Sequence, residues 1–242
     1  MSTLALPAFD DQLIEGDCGG TVEISRNHDS GTTTFSVSFN DFCTEDSESS
    51  SGQTKSDGSL TLKEIGTPTD SGPSISRVTA TVPSLKVVSD GETTTLSLDE
   101  LSYVYGTPGV TPGTPTKANP DQITIDGVTI DYVSRDKRHS LNNFSANTWE
   151  DGTDMVVQID KGRYDTTSSG YVDISTGSPL VFDIDEGVLT DGSLNLSGAD
   201  GNVTITPSPN GVDIFEVAVD GQSLDTTVDC TSGGGLLSQL LL

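Results

Sequence analysis

The chain has 242 residues, 37 acidic against 11 basic, and a formal charge of −26. That balance excludes nucleic-acid binding, which needs clustered Lys and Arg to neutralise phosphates, and disfavours docking on anionic lipid. The length accommodates one large β-domain or two small ones without obligatory disulfides, and no stretch approaches the ~20 apolar residues of a membrane-spanning helix.

The first residues, "MSTLALPAFDDQLIEGD", carry no basic n-region, and the first basic residue is Arg26. An ordinary signal peptide is therefore not expected within them. Next comes "CGGTVEISRNHDSGTTTFSVSFNDFC", residues 18 to 43, with a cysteine at each end of a hairpin pattern. If the hairpin turns on Ser30 and Gly31, facing residues sum to 61, so Ser25 faces Ser36, Glu23 faces Ser38 and Cys18 faces Cys43. That facing position suits a cross-strand disulfide. A CxxC redox motif is absent, and zinc would need two further ligands that neither His28 nor His139 is placed to supply. The reading is a staple, which implies an oxidising compartment. Cys230 is left as the odd thiol.

From here the pattern is period two: Phe35, Val37 and Phe39; Leu60 and Leu62; Val78, Ala80 and Val82; Leu96 and Leu98. It resumes with Ile123 and Ile125, Val128 and Ile130, Val157 and Ile159, Val172 and Ile174, Leu194 and Leu196, Val203 and Ile205, and Phe215 to Val219. Alternation of this kind predicts half-buried strands. Asp-Gly pairs begin at Asp57, Asp90, Asp126, Asp151, Asp191, Asp200 and Asp220, with Asn-Gly at Asn210; such pairs accept the positive φ of hairpin turns. "ITIDGVTI" is the clearest expected hairpin, with Ile125 and Val128 mirrored about Asp126-Gly127. The expected fold is all-β, a large antiparallel meander of roughly ten to fourteen strands with one apolar face, closing as a barrel, half-barrel or sandwich.

Residues 106 to 121, "GTPGVTPGTPTKANPD", form a Pro/Gly-rich linker between an N-terminal half, 1 to 105, and a C-terminal meander, 122 to 232. The two halves are expected to form one sheet system. The final segment, 233 to 242, leads with glycines into Leu236, Leu237, Leu240 and Leu241, too short to span a bilayer and suited to docking on the protein's own core or on another subunit.

Chemistry-bearing clusters are few. His28 lies in an expected turn, and His139 follows the only basic cluster, in which Arg135, Lys137 and Arg138 form a candidate contact for an anionic partner. Asp183, Asp185 and Glu186 place hard oxygen ligands in a turn, as do Glu150, Asp151 and Asp154; calcium is the inorganic partner that suits them, and no other cofactor is expected. No GxSxG, HExxH, P-loop or GxGxxG motif occurs.

The "CGGTVEIS…SFNDFC" segment together with "SPLVFDIDEGVLTDGSLNLSGADGNVTITPSPNG" resembles a loosely defined set of gammaproteobacterial exported proteins and lipoproteins. In these a Cys-Gly-Gly strand pairs with an Asn-Asp-x-Cys strand, and a Pro-Leu-Val-Phe segment precedes a hairpin. The resemblance implies export and a β-rich fold, and it carries over no catalytic residue. The expected function is that of a non-enzymatic extracytoplasmic β-protein, a structural, adhesive or assembly component of the cell surface that partners with itself or with another surface component. The alternative is a carrier whose curved sheet holds an apolar ligand against Phe35, Phe39, Phe182 and Phe215. Third is a glycan hydrolase pairing two acids, or an acid with His139.

Overall fold

The computed structural model describes residues 11–45, 52–67, 69–70, 72–186, 188–208 and 214–229. They form a single antiparallel sheet of fourteen strands in strict chain order, not closed by hydrogen bonds. The strands are β1 (Gln12–Glu15), β2 (Thr21–Asp29), β3 (Thr32–Glu45), β4 (Gln53–Thr67), β5 (Ser74–Ser89), β6 (Glu92–Gly109), β7 (Asp121–Tyr132), β8 (Lys137–Asp151), β9 (Asp154–Thr166), β10 (Gly170–Asp183), β11 (Val188–Gly198), β12 (Gly201–Pro207), β13 (Ile214–Val219) and β14 (Gln222–Asp229). A 3-10 turn, Val133–Arg135, joins β7 to β8. β6 and β7 pair with each other directly, so the sheet runs on across the Pro-rich stretch. Cys230 and the leucine-rich segment 233 to 242 lie outside the described residues.

The hairpin chemistry falls partly where expected. Ser30-Gly31, Asp90-Gly91 and Asp220-Gly221 each supply two successive positive-φ residues between strands, the requirement of a type I′ turn. Asp126-Gly127 does not turn the chain: β7 runs straight through it, and so do β4 through Asp57-Gly58 and β11 through Asp191-Gly192. The expected "ITIDGVTI" hairpin is thus one strand in which the apolar pattern slips by one residue. Its neighbours slip at the same level. Leu98 faces Val128, which faces Leu141; three residues along, Leu101 faces Ile125, which faces Phe144.

A belt of irregular backbone crosses the sheet at this height. Register shifts occur between Phe39 and Phe42, Ser59 and Thr61, Val82 and Leu85, Asn142 and Ser145, and Thr176 and Ser178. Asp41 and Asn143 have positive φ, as do Gly58 and Gly192. A bulge inserts a residue, bends its strand and re-aims the following side chains, which lets one strand carry two out-of-phase apolar runs. The belt is crowded as well. A Cβ on Gly58 would lie 2.1 Å from the Ser84 carbonyl oxygen, one on Gly162 2.9 Å from the Phe144 ring, and one on Gly192 2.3 Å from the Pro179 carbonyl oxygen. The long strands are therefore pairs of short ones joined at a crease lined by glycine.

Apolar residues align in rows across neighbouring strands. One row runs Phe35, Leu62, Ala80, Leu101, Ile125, Phe144, about 24 Å at ~4.8 Å per strand. The buried apolar residues among those described, including Val22, Phe35, Val82, Ala146, Trp149, Leu180, Leu194 and Phe215, are spread from β2 to β13. The core is thus a set of strips along the sheet.

At the N-terminal edge, Ser25 faces Ser36, Glu23 faces Ser38 and Thr21 faces Asn40, the expected register. Cys18 and Cys43 form a disulfide, with Cα atoms 5.2 Å apart and Cys43 1% exposed. Cys18 N–H donates to the Cys43 carbonyl at 3.3 Å, and Cys43 N–H donates to the Gly19 carbonyl at 2.9 Å. Gly20, at φ +71, has the Asp41 carbonyl oxygen 2.0 Å from where a Cβ would sit, so the second glycine of Cys-Gly-Gly cannot carry a side chain. Closing a separation of 25 residues constrains the unfolded chain by roughly 3 kcal/mol on the entropic account. Reduction is accordingly expected to lower the unfolding free energy by about that amount in a denaturant titration. An unreduced digest should yield one peptide pair joining Cys18 to Cys43.

Candidate functional site

The basic cluster lies where β7 turns into β8. The turn lets Ser134 Oγ accept from Thr93 N–H at 3.2 Å, tying it to the start of β6. Arg135 reaches Glu92 at 2.7 Å and Arg138 reaches Asp131 at 2.8 Å. A shallow depression of about 400 Å³ opens beside them, lined by Val87, Ser89, Asp90, Glu92, Thr94 and Arg135. Two of the three predicted anion contacts are thus engaged by carboxylates of their own sheet. Lys137 is exposed and faces Tyr132 in the ladder.

His139 is the third residue of β8, just beyond this turn. Its Nδ1 is 2.5 Å from the Tyr164 hydroxyl, and its ring meets Tyr132 edge-on with centroids 5.7 Å apart. Burial, then the neighbouring Tyr132, pushes the Tyr164 phenol above its ordinary value. His28 bonds the Thr33 hydroxyl at 3.0 Å. Both imidazoles thus have hydroxyl partners, an arrangement that orients a ring without the carboxylate an acid–base pair would use.

A second cluster surrounds Asp121 at the start of β7, and nothing in the motif reading pointed to it. The Asp121 carboxylate, 3% exposed, accepts hydrogen bonds from the Tyr103 hydroxyl and from Gly106 N–H, the latter at 2.8 Å. Its sequence signal is positional: Asp121 shares the period-two phase of Ile123 and Ile125, which places an acid on the apolar side. The Pro-rich stretch closes over this cluster as an ordered loop. Thr116 and Asn119 form a β-bridge, Glu150 N–H donates to the Pro115 carbonyl at 3.1 Å, and Lys117 Nζ sits 6.0 Å from the Trp149 ring centroid.

Tyr103 is held well above the ordinary phenol value, first by burial, then by its hydrogen bond to Asp121 and the charge there. Tyr105, whose ring meets Tyr103 at 4.9 Å, shifts the same way through burial and Asp121. A phenol raised in the folded state keeps its proton while the unfolded chain releases its own, so this stability is intact below about pH 10 and falls as pH rises beyond it. The phenolate absorbance of these tyrosines is accordingly expected to appear together with loss of β circular dichroism in an alkaline titration. Smooth ionisation at about pH 10 with the fold retained would contradict it.

The other predicted site residues are dispersed. Asp183 Oδ1 accepts from the N–H groups of Asp185 and Glu186, both at 2.9 Å, so this carboxylate caps its own turn. Asp151 and Asp154 face each other where β8 turns into β9. Among the described residues no group of three or more His, Cys, Asp or Glu side chains is gathered to hold a metal ion. Phe35 and Phe39 lie on β3, Phe182 on β10 and Phe215 on β13, and the depression at Arg135 includes none of them. Phe39 contacts Phe42, at 6.3 Å, while Arg26 lies over Phe35 at 5.5 Å. No helix among the described residues is long and apolar enough to cross a membrane. No protein-family model, no curated protein and no solved structure matches the chain.

Proposed function

We propose that this protein is a non-enzymatic, extracytoplasmic structural component of the cell surface. The observation that carries the reading is the unbroken order of the sheet, β1 to β14: nearly the whole described chain is devoted to one hydrogen-bonded surface. The use of polar groups supports it. Arg77, Arg135, Arg138 and Arg163 are paired with carboxylates, Asp183 is engaged by backbone, and the histidines by hydroxyls. The Cys18–Cys43 bridge favours an oxidising compartment, in keeping with the exported proteins that the sequence resembles. A charge of −26 suits a surface held apart from other acidic surfaces.

Fractionation of cells making the protein, with immediate thiol alkylation, tests the reading. The expected result is recovery outside the cytoplasm, accessible to an impermeant label, with Cys18 and Cys43 unalkylated. Cytoplasmic recovery with both cysteines alkylated would overturn it.

A further inference from the structure

Sequential antiparallel pairing through an even number of strands has a directional consequence: β1 and β14 run in opposite senses. A copy placed beside β14 in the same orientation presents its β1 antiparallel to it, so the alternation continues across the junction. We infer that the sheet extends head to tail, β14 of one copy pairing with β1 of the next. This rests on the structural role proposed above and names the partner, a second copy of this chain.

Three observations support it. Among the described residues each edge strand is paired on one side only, and the outer side of such a strand offers a row of backbone donors and acceptors. Neither "QLIE" nor "QSLDTTVD" contains Lys or Pro, the residues that block an edge most directly. All four β1 residues are exposed, Leu13 at 67% and Ile14 at 43%, and the bridge at Cys18 fixes the turn behind them. Closure of one chain on itself would need the same pairing between its own edges, but β1 touches β2 and β14 touches β13, with no contact of substance between the two edges. Pairing of β1 with β1 about a two-fold axis would leave β14 open, whereas the head-to-tail junction uses both edges at every step and builds a filament when its rotation does not close.

Charge sets the condition. Copies carrying −26 each repel over a Debye length of about 10 Å at 0.1 M salt and about 3 Å at 1 M, so association should strengthen as salt is raised. The test uses the full, disulfide-intact chain with Glu15→Cys and Gln222→Cys together in a Cys230→Ser background, since antiparallel pairing brings the end of β1 to the start of β14, treated with a short bis-maleimide in high salt. The expected result is a ladder of dimers, trimers and longer species, abolished by Leu13→Pro or Ile14→Pro in chains that keep the Cys18–Cys43 peptide pair and the β circular dichroism of the parent. A cross-linked monomer, which would mean closure of one chain, overturns the inference. So do dimers from Glu15→Cys alone, or an uncross-linked monomer whose mass by light scattering is independent of concentration and salt. None of these outcomes bears on the cellular location, which the fractionation decides separately.

Discussion

Gly192→Ala is expected to destabilise the protein by on the order of 4 kcal/mol, out of proportion to the single methyl group added. Gly192 has φ +109, and its Cβ would lie 2.3 Å from the Pro179 carbonyl oxygen and 2.6 Å from Leu180 Cα, both backbone atoms of the paired strand. Two penalties combine: a conformation that L-residues avoid, roughly 1–3 kcal/mol, and overpacking that only backbone movement relieves, typically another 1–3 kcal/mol. Gly152→Ala supplies the comparison. It too has positive φ, +69, but nothing lies within 4 Å of its Cβ position, so only the conformational penalty of about 1 kcal/mol applies. Equilibrium unfolding in urea measures both. Equal losses at the two positions would mean that the crease yields easily and is not what shapes the sheet.

Trp149→Ala is expected to lower stability by about 3 to 5 kcal/mol, the range for deleting a buried aromatic side chain. Trp149 is 6% exposed, faces Val156 across the ladder and has Lys117 over its ring. Removing the indole opens a void beneath the Pro-rich loop and deprives that loop of its anchor. The effect should therefore extend to proteolysis within residues 110 to 120, where Val110 is already 47% exposed. Trp149→Phe retains a ring for Lys117 and should recover much of the loss. Because Trp149 is the only tryptophan, the unfolding of the parent can be followed at this site by intrinsic fluorescence and compared with circular dichroism of the whole sheet.

The strands and the first hairpin were legible because their signals are local. Alternation at Phe35, Val37 and Phe39 reports a half-buried face directly, and the Ser30-Gly31 turn fixes the facing pairs from Asp29 and Thr32 out to Thr21 and Asn40, just short of the bridged cysteines. Asp126-Gly127 misled because Asp-Gly satisfies two geometries, a two-residue turn and a mid-strand irregularity. What decides between them is whether β6 and β8 slip at the same height, through Leu98 and Leu101 and through Leu141 and Phe144. That comparison requires the register of neighbouring strands, which no single window contains. The Asp121 cluster escaped for a similar reason: Tyr103 and Gly106 lie on the other side of a proline-rich loop. Arg135 and Arg138 stood out as cations in an acidic chain, yet Glu92 lies 43 residues before Arg135 in the sequence and becomes its partner only once β6 and β7 are paired.

The strict chain order of the sheet also governs how the fold is acquired. Every strand's partners are its immediate predecessor and successor, so no segment must be stored unpaired while a distant one is synthesised. Structure can grow as a zipper, each hairpin templating the next, in the nearest-neighbour manner of repeat proteins. This sidesteps the slow long-range closure that burdens most all-β topologies. For a polypeptide that emerges N-terminus first, such an order is directly compatible with vectorial folding. The Cys18–Cys43 hairpin comes first and can be locked by oxidation before the later strands arrive, giving the growing sheet a covalent starting point.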